Sequence, residues 1–321
     1  MIRVAVVGLG DIGIEIARTA SMHASLDVVA AVDIDPGKAG EALRTLTRLD
    51  GSDDVRVTGD CGGMLESARP DVVLLSTGSR MDQVVTDIRA AVDAGASVVT
   101  TCEEMTWPWS RSGAEEIHLA AVAAGCAVLG VGVNPGFVMD LLPSVLITAS
   151  LHVGRVAIER HVDLTRRRPA LQQKAGVGLK REEFIRLADA GRIGHVGLDS
   201  SACLVASSLG LVRDLPLVEI EPIVVDSETV VGFRQRTGWA RTSSSPGIEL
   251  SLEMSALLEE EFDRVEVTGE PAFTAVIDGG ISGDVATAAL VVNAIPLLVG
   301  GRPGLKTVLD LPPLRGWLSP T

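Results

Sequence analysis

A strand-like run that leads directly into three spaced glycines restricts the fold of this chain more than any other feature. Residues 4–7 are the small and β-branched apolar residues of a strand buried on both faces. Gly8-Leu-Gly-Asp-Ile-Gly13 follows at once, and residues 14–20 are typical of a helix. In such a unit the first glycine permits a tight turn, the second lets the backbone approach a pyrophosphate, and the third lets the helix pack closely on the strand. The pattern predicts dinucleotide binding, with a purely structural glycine turn as the alternative.

The end of the second apolar run supports this prediction. Residues 28–32 lead into Asp33, about twenty residues after Gly13, where dinucleotide-binding units carry an acidic residue. Such a carboxylate accepts hydrogen bonds from the adenosine ribose hydroxyls and repels a 2′-phosphate, so Asp33 favours NAD. Lys38 lies close enough in sequence to supply a countercharge, which leaves NADP open. Asp35 is expected to be a turn or helix-cap carboxylate.

The alternation of strands and helices continues to about residue 138. Residues 70–78 form a hydrophobic strand that ends in small hydroxyl residues. Because it is the fourth strand of the series, Ser76 and Thr77 are placed at the carboxyl edge of a parallel sheet, where ligands bind. A sixth strand, residues 126–132, ends in the tight turn Asn134-Pro135-Gly136. We therefore predict that residues 1–138 are a dinucleotide-binding domain with a doubly wound parallel sheet, the Rossmann fold.

Two adjacent carboxylates follow the strand predicted over residues 96–102. In an extended backbone the side chains of Glu103 and Glu104 point to opposite faces, so at most one is expected to face a bound nicotinamide. The alternative is that both are solvated loop charges or helix-start acids, because Pro108 and a helix from about Gly113 follow.

The second half of the chain has the pattern of half-buried strands. Residues 156–164 and 248–256 alternate between apolar and polar side chains. The further strands and helices predicted here lie near residues 182–190, 200–209, 219–225, 230–241 and 264–268. The pattern predicts an α+β domain over residues 139–283 with a largely antiparallel open sheet, for substrate binding and dimerisation. Residues 284–321 are expected to pack back onto the first domain, because the helix over residues 285–299 is apolar nearly all round.

Two residues of the second domain are candidate substrate contacts. Arg160 falls on the apolar face of its strand, and an inward-facing guanidinium needs a partner, which is either a substrate or, more often, a structural carboxylate. His195 lies in a glycine-rich turn between two predicted helices, where a histidine is more often a surface or capping residue than a catalytic one.

Composition excludes several classes of protein. A net charge of −14 repels nucleic acid phosphates. The four cysteines (Cys61, Cys102, Cys126 and Cys203) stand alone, so we expect reduced thiols without a zinc or other metal site. No signal segment is visible, and the apolar stretch over residues 286–299 is too short to span a bilayer. We expect a soluble, cytoplasmic protein that binds neither nucleic acid nor a membrane.

Motifs spread over nearly the whole chain resemble one known family. The earlier motifs are Thr100-Thr-Cys-Glu-Glu-Met-Thr-Trp-Pro108, Gly130-Val-Gly-Val-Asn-Pro-Gly-Phe137 and Asp140-Leu-Leu-Pro143. The later motifs are Gly194-His-Val-Gly-Leu198, Gly279-Gly-Ile-Ser-Gly-Asp-Val-Ala-Thr287, Val292-Asn-Ala-Ile-Pro296, Pro303-Gly-Leu305 and Asp310-Leu-Pro312. Together they resemble the 2,4-diaminopentanoate dehydrogenase family, which includes native NAD(P)-dependent amine dehydrogenases.

The resemblance implies reversible oxidative deamination of a primary amine to a ketone or aldehyde plus ammonia, with the nicotinamide taking the hydride. It also implies that one glutamate of the Glu103-Glu104 pair assists proton transfer. Glu104 is favoured, because the catalytic lysine of related sugar-type dehydrogenases would align with it, and Glu103 is the alternative. A carboxylate suits the chemistry, since it can take a proton from the attacking water and stabilise a cationic nitrogen.

The predicted site therefore joins a cofactor cradle, a carboxylate pair and a substrate pocket. The cofactor-binding residues are Gly8, Leu9, Gly10, Asp11, Ile12, Gly13, Asp33, Ser76, Thr77, Asn134, Pro135 and Asn293. The substrate pocket is predicted to contain Phe137, Arg160 and His195. The expected partners are a small amine or carbonyl compound and ammonia, and a second copy of the chain, because an open sheet face invites pairing in a homodimer.

The sequence is compatible with two classes of amine substrate. A 2,4-diaminopentanoate-type diamino acid would need acid anchors, for which Arg160, the run Arg166-Arg-Arg168 and His195 are available. A plain alkylamine would need an apolar pocket, which Trp107, Phe137 and Trp239 could line.

Other functions agree less well with the sequence. A protein that senses NAD(P) without turnover is the alternative outside enzymes, and the Glu-Glu strand end favours the enzyme. Dihydrodipicolinate reductases carry a paired-histidine motif that is missing here. Homoserine and sugar-type dehydrogenases rely on a lysine, and none of the four lysines of this chain lies at a matching strand end.

Overall fold

The computed structural model describes residues 1–49, 55–165 and 167–316. They form two compact units. The first consists of Met1–Gly136 together with the chain from Ser282 onward, and the second consists of Phe137–Ile281.

Strands and helices alternate in the first unit, and strands predominate in the second. In chain order the strands are β1 (Ile2–Val7), β2 (Leu26–Val32), β3 (Val57–Thr58), β4 (Val72–Leu75), β5 (Ser97–Thr100), β6 (Ala127–Gly130), β7 (His152–Asp163), β8 (Glu219–Val225), β9 (Thr229–Trp239), β10 (Gly247–Ser255), β11 (Phe262–Glu270), β12 (Phe273–Asp278) and β13 (Gly304–Lys306). The helices are α1 (Asp11–Met22), α2 (Leu43–Thr47), α3 (Cys61–Ala68), α4 (Met81–Asp93), α5 (Ala114–Ala124), α6 (Leu141–Leu146), α7 (Pro169–Lys174), α8 (Arg181–Asp189), α9 (Leu198–Ser208) and α10 (Gly283–Val299).

The first unit is built on a seven-stranded sheet in the order β13-β6-β5-β4-β1-β2-β3. Every neighbouring pair is parallel. The prediction of a doubly wound parallel sheet is thus confirmed. Strand β1 lies inside this sheet, and its residues Val4, Ala5 and Val6 are fully buried, as its apolar composition predicts. Strand β13 was not predicted, because three residues are too few to show a pattern.

Two helices pack together on this sheet. The buried residues of α1 are Gly13, Ile16, Ala17 and Ala20, which are spaced so that they share one helix face. Helix α10 contacts α1 and also β4, β5 and β6 within the same unit. The expected burial of α10 holds for the residues on one side, whereas Val285 and Val299 near its ends are exposed.

The second unit contains a six-stranded sheet in the order β12-β11-β7-β10-β9-β8. Only β7 and β10 in the middle run parallel, and the other pairs are antiparallel. The predicted largely antiparallel sheet is therefore confirmed. Helix α9 covers part of it through contacts with β9 and β10, and eight residues of this helix are buried.

The backbone around the two glutamates differs from the expectation. Strand β5 ends at Thr100, and residues Glu103–Thr106 form a 3₁₀ turn. The N–H of Cys102 donates to Thr100 Oγ1 at 3.1 Å, and the N–H of Met105 donates to the Cys102 carbonyl at 3.0 Å, which closes the turn. The expectation that Glu103 and Glu104 project from opposite faces of an extended strand is therefore wrong.

Exchanging Gly13 for alanine tests how tightly α1 packs on β1. A Cβ at Gly13 would lie 1.8 Å from the Gly8 carbonyl oxygen, whereas a Cβ at Gly10 would meet no described atom within 4 Å. We expect Gly13→Ala to lower the free energy of unfolding by at least about 2 kcal/mol, because backbone atoms must move. Gly10→Ala is the matched control and should change it by less than about 0.5 kcal/mol. Urea unfolding followed by circular dichroism measures both, and equal stability of the two variants would contradict the packing argument.

Candidate active site

The glycines after β1 form a tight, open-sided turn. Gly8 has a φ of +88°, and a Cβ there would lie 2.8 Å from the Ser76 carbonyl oxygen, so glycine is required. Ser76 Oγ in turn donates to the Gly8 carbonyl at 2.9 Å. Because a Cβ at Gly10 would meet none of the described atoms within 4 Å, the backbone at this position is open to a ligand.

Helix α1 begins immediately after this opening. Asp11, Ile12 and Gly13 form its first turn, and the N-cap position is held by Gly10, which has no side chain to cap the helix. The start of a helix attracts an anion through its N–H groups and the helix dipole. The open backbone and the uncapped helix start together fit the pyrophosphate of a dinucleotide.

Asp33 closes the other side of the cradle and is held by the turn itself. Its Oδ2 accepts a hydrogen bond from the Leu9 N–H at 2.7 Å, and its Oδ1 accepts one from the Asp35 N–H at 2.8 Å. Lys38 Nζ lies 3.0 Å from Oδ2 of Asp33 and 3.8 Å from Oδ2 of Asp35. Leu9 is fully buried, so it contributes to the site by orienting Asp33.

These contacts keep Asp33 ionised although it is only 8 % exposed. Burial raises the pKa of Asp33, but the Asp35 N–H, the Lys38 ammonium and the Leu9 N–H outweigh this effect, so the pKa lies below its usual value. The carboxylate is negatively charged at neutral pH and is a hydrogen-bond acceptor only.

The remaining predicted cofactor residues lie in the first unit. Ser76 and Thr77 follow β4 at the carboxyl edge of the sheet, where Ser76 is half-buried and Thr77 is exposed. Asn134 and Pro135 follow β6 and are joined by a cis peptide bond. Asn293 lies within α10, and its Oδ1 is buried without a hydrogen-bond donor among the described residues.

Glu104 is the most tightly held residue at the end of β5. It is 8 % exposed, and its Oε2 accepts a hydrogen bond at 2.8 Å from the N–H of Met81, the first residue of α4. Its Oε1 faces two guanidinium groups, with Arg80 Nη1 at 3.6 Å and Arg111 Nη1 at 3.5 Å. Since both distances exceed an ordinary hydrogen-bond length, Oε1 keeps capacity to accept a further hydrogen bond.

Glu103 and Cys102 lie next to this carboxylate. Glu103 is half-buried. Burial raises the pKa of the Cys102 thiol to about 12, with a further contribution from Glu103. Cys102 is therefore an uncharged, unreactive thiol at neutral pH.

Sequence reasoning missed the groups that hold Glu104. Arg80 stands at the start of α4 and Arg111 precedes α5, so neither shares a motif with the glutamates. The only sequence signal is their position after successive strands of the parallel sheet, which brings the loops to one edge.

The predicted substrate residues all lie in the second unit. Arg160 is 4 % exposed, its Nη1 donates to Asp263 Oδ1 at 2.6 Å, and its Nη2 donates to the Ile281 carbonyl at 2.7 Å. Asp263 Oδ2 accepts the Ile281 N–H at 2.8 Å. The partner of Arg160 is therefore a structural carboxylate, Asp263, which is the more frequent of the two alternatives expected from the sequence.

His195 is held through its backbone. The Gln235 side chain accepts the His195 N–H at 2.8 Å and donates to the His195 carbonyl at 3.2 Å. Gln235 is only 5 % exposed, so this two-point contact sets the course of the turn. A substrate contact by His195 stays a prediction.

The other candidate pocket residues have separate surroundings. Phe137 is half-buried at the start of the second unit, and its carbonyl accepts the Leu142 N–H at 2.8 Å. The Trp107 indole donates to Ser110 Oγ at 3.3 Å, and the Arg213 guanidinium lies 5.2 Å from the centre of the Trp239 ring. In the arginine run, Arg167 pairs with Glu261, Arg168 is the N-cap residue of α7, and Arg166 lies outside the described residues.

Comparisons with known proteins agree with this arrangement of elements. A family profile described as "2,4-diaminopentanoate dehydrogenase C-terminal domain" matches residues 137–236 and 253–320, just over half of the chain. A 2,4-diaminopentanoate dehydrogenase of Acetoanaerobium sticklandii is 28 % identical over 97 % of this chain and 93 % of its own length. An amine dehydrogenase of Streptomyces virginiae is 31 % identical over 46 % of this chain and 42 % of its own.

A solved structure has the same fold. The amine dehydrogenase of Mycobacterium smegmatis is similar with a TM-score of 0.86 at 22 % identity, covering 98 % of this chain and 97 % of that one. Among the helices of the described residues, none is long and apolar enough to cross a membrane.

The role of Arg160 can be tested through stability. Arg160→Met leaves the Asp263 carboxylate buried without its countercharge, and we expect the free energy of unfolding to fall by about 3–5 kcal/mol. The double variant Arg160→Met/Asp263→Leu should recover most of this loss, because no charge stays buried. Arg264→Met is the control, since Arg264 and Glu159 form an exposed pair in the same sheet, and it should cost less than about 1 kcal/mol. A stability of Arg160→Met equal to that of the control would contradict the structural role.

Proposed function

Because the chain belongs to the 2,4-diaminopentanoate dehydrogenase family, we propose that it is an NAD(P)-dependent oxidoreductase that acts on primary amines. The reaction is reversible oxidative deamination to a ketone or aldehyde plus ammonia. The bound nicotinamide supplies the redox chemistry, by accepting the hydride of the C–H bond next to nitrogen. The observation that carries the proposal is the buried Glu104 carboxylate at the carboxyl edge of the sheet that bears the nucleotide cradle.

Glu104 has the anchoring that a catalytic carboxylate needs. The Met81 N–H holds Oε2, which fixes the orientation of the group, while Oε1 remains able to accept a proton. Arg80 and Arg111 compensate the negative charge of the side chain at a position with little access to water. We propose that Glu104 carries the proton transfer and keep Glu103 as the alternative.

A carboxylate assists proton transfer in both directions of the reaction. In the deaminating direction, water adds to the iminium carbon of the substrate, and Oε1 of Glu104 takes the proton that this water loses. The negative charge also stabilises the cationic nitrogen. In the aminating direction the same group positions ammonia and returns the proton to the departing hydroxyl.

The substrate class is narrowed by the surroundings of Arg160. A diamino acid needs a cation for its carboxylate, and Arg160 already binds Asp263 and the Ile281 carbonyl. This supports a plain primary amine over a 2,4-diaminopentanoate-type substrate, which stays the alternative. Phe137 and His195 are proposed substrate contacts on the basis of the family motifs.

We also propose that the chain forms a homodimer through the open face of its second sheet. This face carries charges of both signs, including Arg155 with Glu249 and Arg234 with Glu253. A groove of about 800 Å³ runs between these side chains. A surface with both signs can pair with a second copy of itself across a two-fold axis.

Replacing each glutamate by glutamine tests the catalytic assignment. Glu104→Gln keeps the size of the side chain but cannot take a proton, so turnover should fall by roughly 10²- to 10⁴-fold. Glu103→Gln is the matched control and should retain turnover within about 10-fold. The measurement is ammonia-dependent oxidation of NADH or NADPH over a panel of small ketones and aldehydes, with cofactor affinity determined separately by fluorescence.

Two results would contradict this proposal. Loss of turnover in Glu103→Gln with retention in Glu104→Gln would reverse the assignment. Measured cofactor binding by the wild-type chain without ammonia-dependent turnover on any carbonyl of the panel would favour a sensing protein over an enzyme.

The dimer proposal is tested by molar mass in solution. We expect the wild-type chain to have the mass of a dimer in light scattering, and the charge-reversed variant Glu249→Arg/Glu253→Arg to shift towards the monomer. The expected shift arises because four positive side chains of each face would then repel the same charges on the partner. A wild-type monomer at micromolar concentration would overturn the proposal.

A further inference from the structure

The ammonium of Lys38 forms an ion pair with the Asp33 carboxylate. Discrimination between NAD and NADP depends on a carboxylate at this position. Lys38 Nζ lies 3.0 Å from Asp33 Oδ2, and its side chain is 25 % exposed. The backbone supports this position, since the Lys38 N–H donates to the Asp35 carbonyl at 3.0 Å. Lys38 is therefore part of the turn after β2 and not a distant surface lysine.

The hydrogen-bond capacity of Asp33 is nearly filled. A carboxylate has about four positions for donors, and here the Leu9 N–H, the Asp35 N–H and the Lys38 ammonium take three of them. The adenosine ribose of NAD has two hydroxyl groups that donate to a carboxylate at this place. One vacant acceptor position is too few for both, so NAD must displace the lysine from Asp33.

The 2′-phosphorylated ribose of NADP needs fewer hydrogen-bond acceptors from Asp33 than the ribose of NAD does. It has lost one of the two hydroxyls, and the other needs a single acceptor, which Asp33 still offers. The charge of Asp33 would repel the phosphate, but the Lys38 ammonium lies against that carboxylate and is partly exposed. An ammonium next to a phosphate forms a strong charge-assisted hydrogen bond.

Asp35 offers the Lys38 ammonium a second carboxylate partner. Asp35 Oδ2 is 3.8 Å from Lys38 Nζ, and the Asp35 side chain is about half exposed. When NAD is bound, the ammonium can move to Asp35 and release Asp33 for the ribose. The same side chain thus permits either form of the cofactor.

We propose that Lys38 determines cofactor specificity, by countering Asp33 so that the site binds the 2′-phosphate of NADP as well as the ribose diol of NAD. The proposal takes the class of cofactor from the proposed function and adds the residue that sets the ratio between its two forms. An acidic residue after β2 alone would favour NAD. The Asp33–Lys38 pair makes the chain able to use both.

Binding of the cofactors and of their adenosine halves tests this without turnover. Titration calorimetry measures the dissociation constants of NADH, NADPH, 5′-AMP and 2′,5′-ADP for the wild-type chain and for Lys38→Met. We expect the wild-type constants of NADH and NADPH to differ by less than about 10-fold. Lys38→Met should weaken NADPH and 2′,5′-ADP by at least about 10-fold, which corresponds to the loss of one charge-assisted contact. The affinities for NADH and 5′-AMP should be unchanged or higher.

Two further variants test whether the effect is specific to the Asp33–Lys38 pair. Lys306→Met removes a lysine of β13 in the same unit and should leave all four constants within about 2-fold. Asp33→Asn removes the charge that repels the phosphate, so it should weaken NADH and strengthen NADPH.

The outcomes separate this inference from the proposed function. Equal weakening of NADH and NADPH in Lys38→Met, or no weakening of either, would overturn the role of Lys38 while leaving the amine chemistry intact. A wild-type chain that binds neither dinucleotide would overturn the proposed function together with the inference.

Discussion

The packing of α1 against the turn after β1 is the contact on which the first unit depends. Gly13 stands so close to the Gly8 carbonyl that only a hydrogen atom fits between them, and the same carbonyl accepts the Ser76 hydroxyl. The turn therefore joins β1, α1 and the end of β4. It also directs the Leu9 N–H at Asp33, so the pyrophosphate cradle and the ribose-facing carboxylate are positioned by one piece of backbone.

Three of the four buried carboxylates among the described residues show how the chain separates structural from functional charges. Asp33, Glu104 and Asp263 each face at least one cation, because an uncompensated buried charge would destabilise the fold. Asp263 uses both oxygens within 2.8 Å of donors from the second unit. Asp33 and Glu104 are different, since they follow β2 and β5 at the ligand-binding edge of the parallel sheet. Their place at this edge distinguishes the two carboxylates that we assign to function.

Much of the fold could be predicted from local patterns. The buried run before Gly8 and the apolar face of α1 identify a parallel, doubly wound sheet, and alternation identifies the half-buried strands of the second unit. The parallel pairing of β7 with β10 could not be predicted, because alternation shows which face of a strand is buried and not its direction. The 3₁₀ turn at Glu103 was also missed, since it depends on hydrogen bonds of Thr100 and Cys102 that leave no period in the sequence.

The sequence by itself determined the elements, the place of the nucleotide cradle and the chemical types available to the site. Glycine spacing, strand length and residue type act over one or two turns of backbone, so they can be read in order along the chain. Lys38 is close enough in sequence to be a candidate countercharge near Asp33, but only the tertiary structure decided the other partners: Arg80 and Arg111 for Glu104, and Asp263 for Arg160. Two of these pairs, Arg80 with Glu104 and Arg160 with Asp263, join segments that are far apart in sequence, and buried charges of this kind must be compensated.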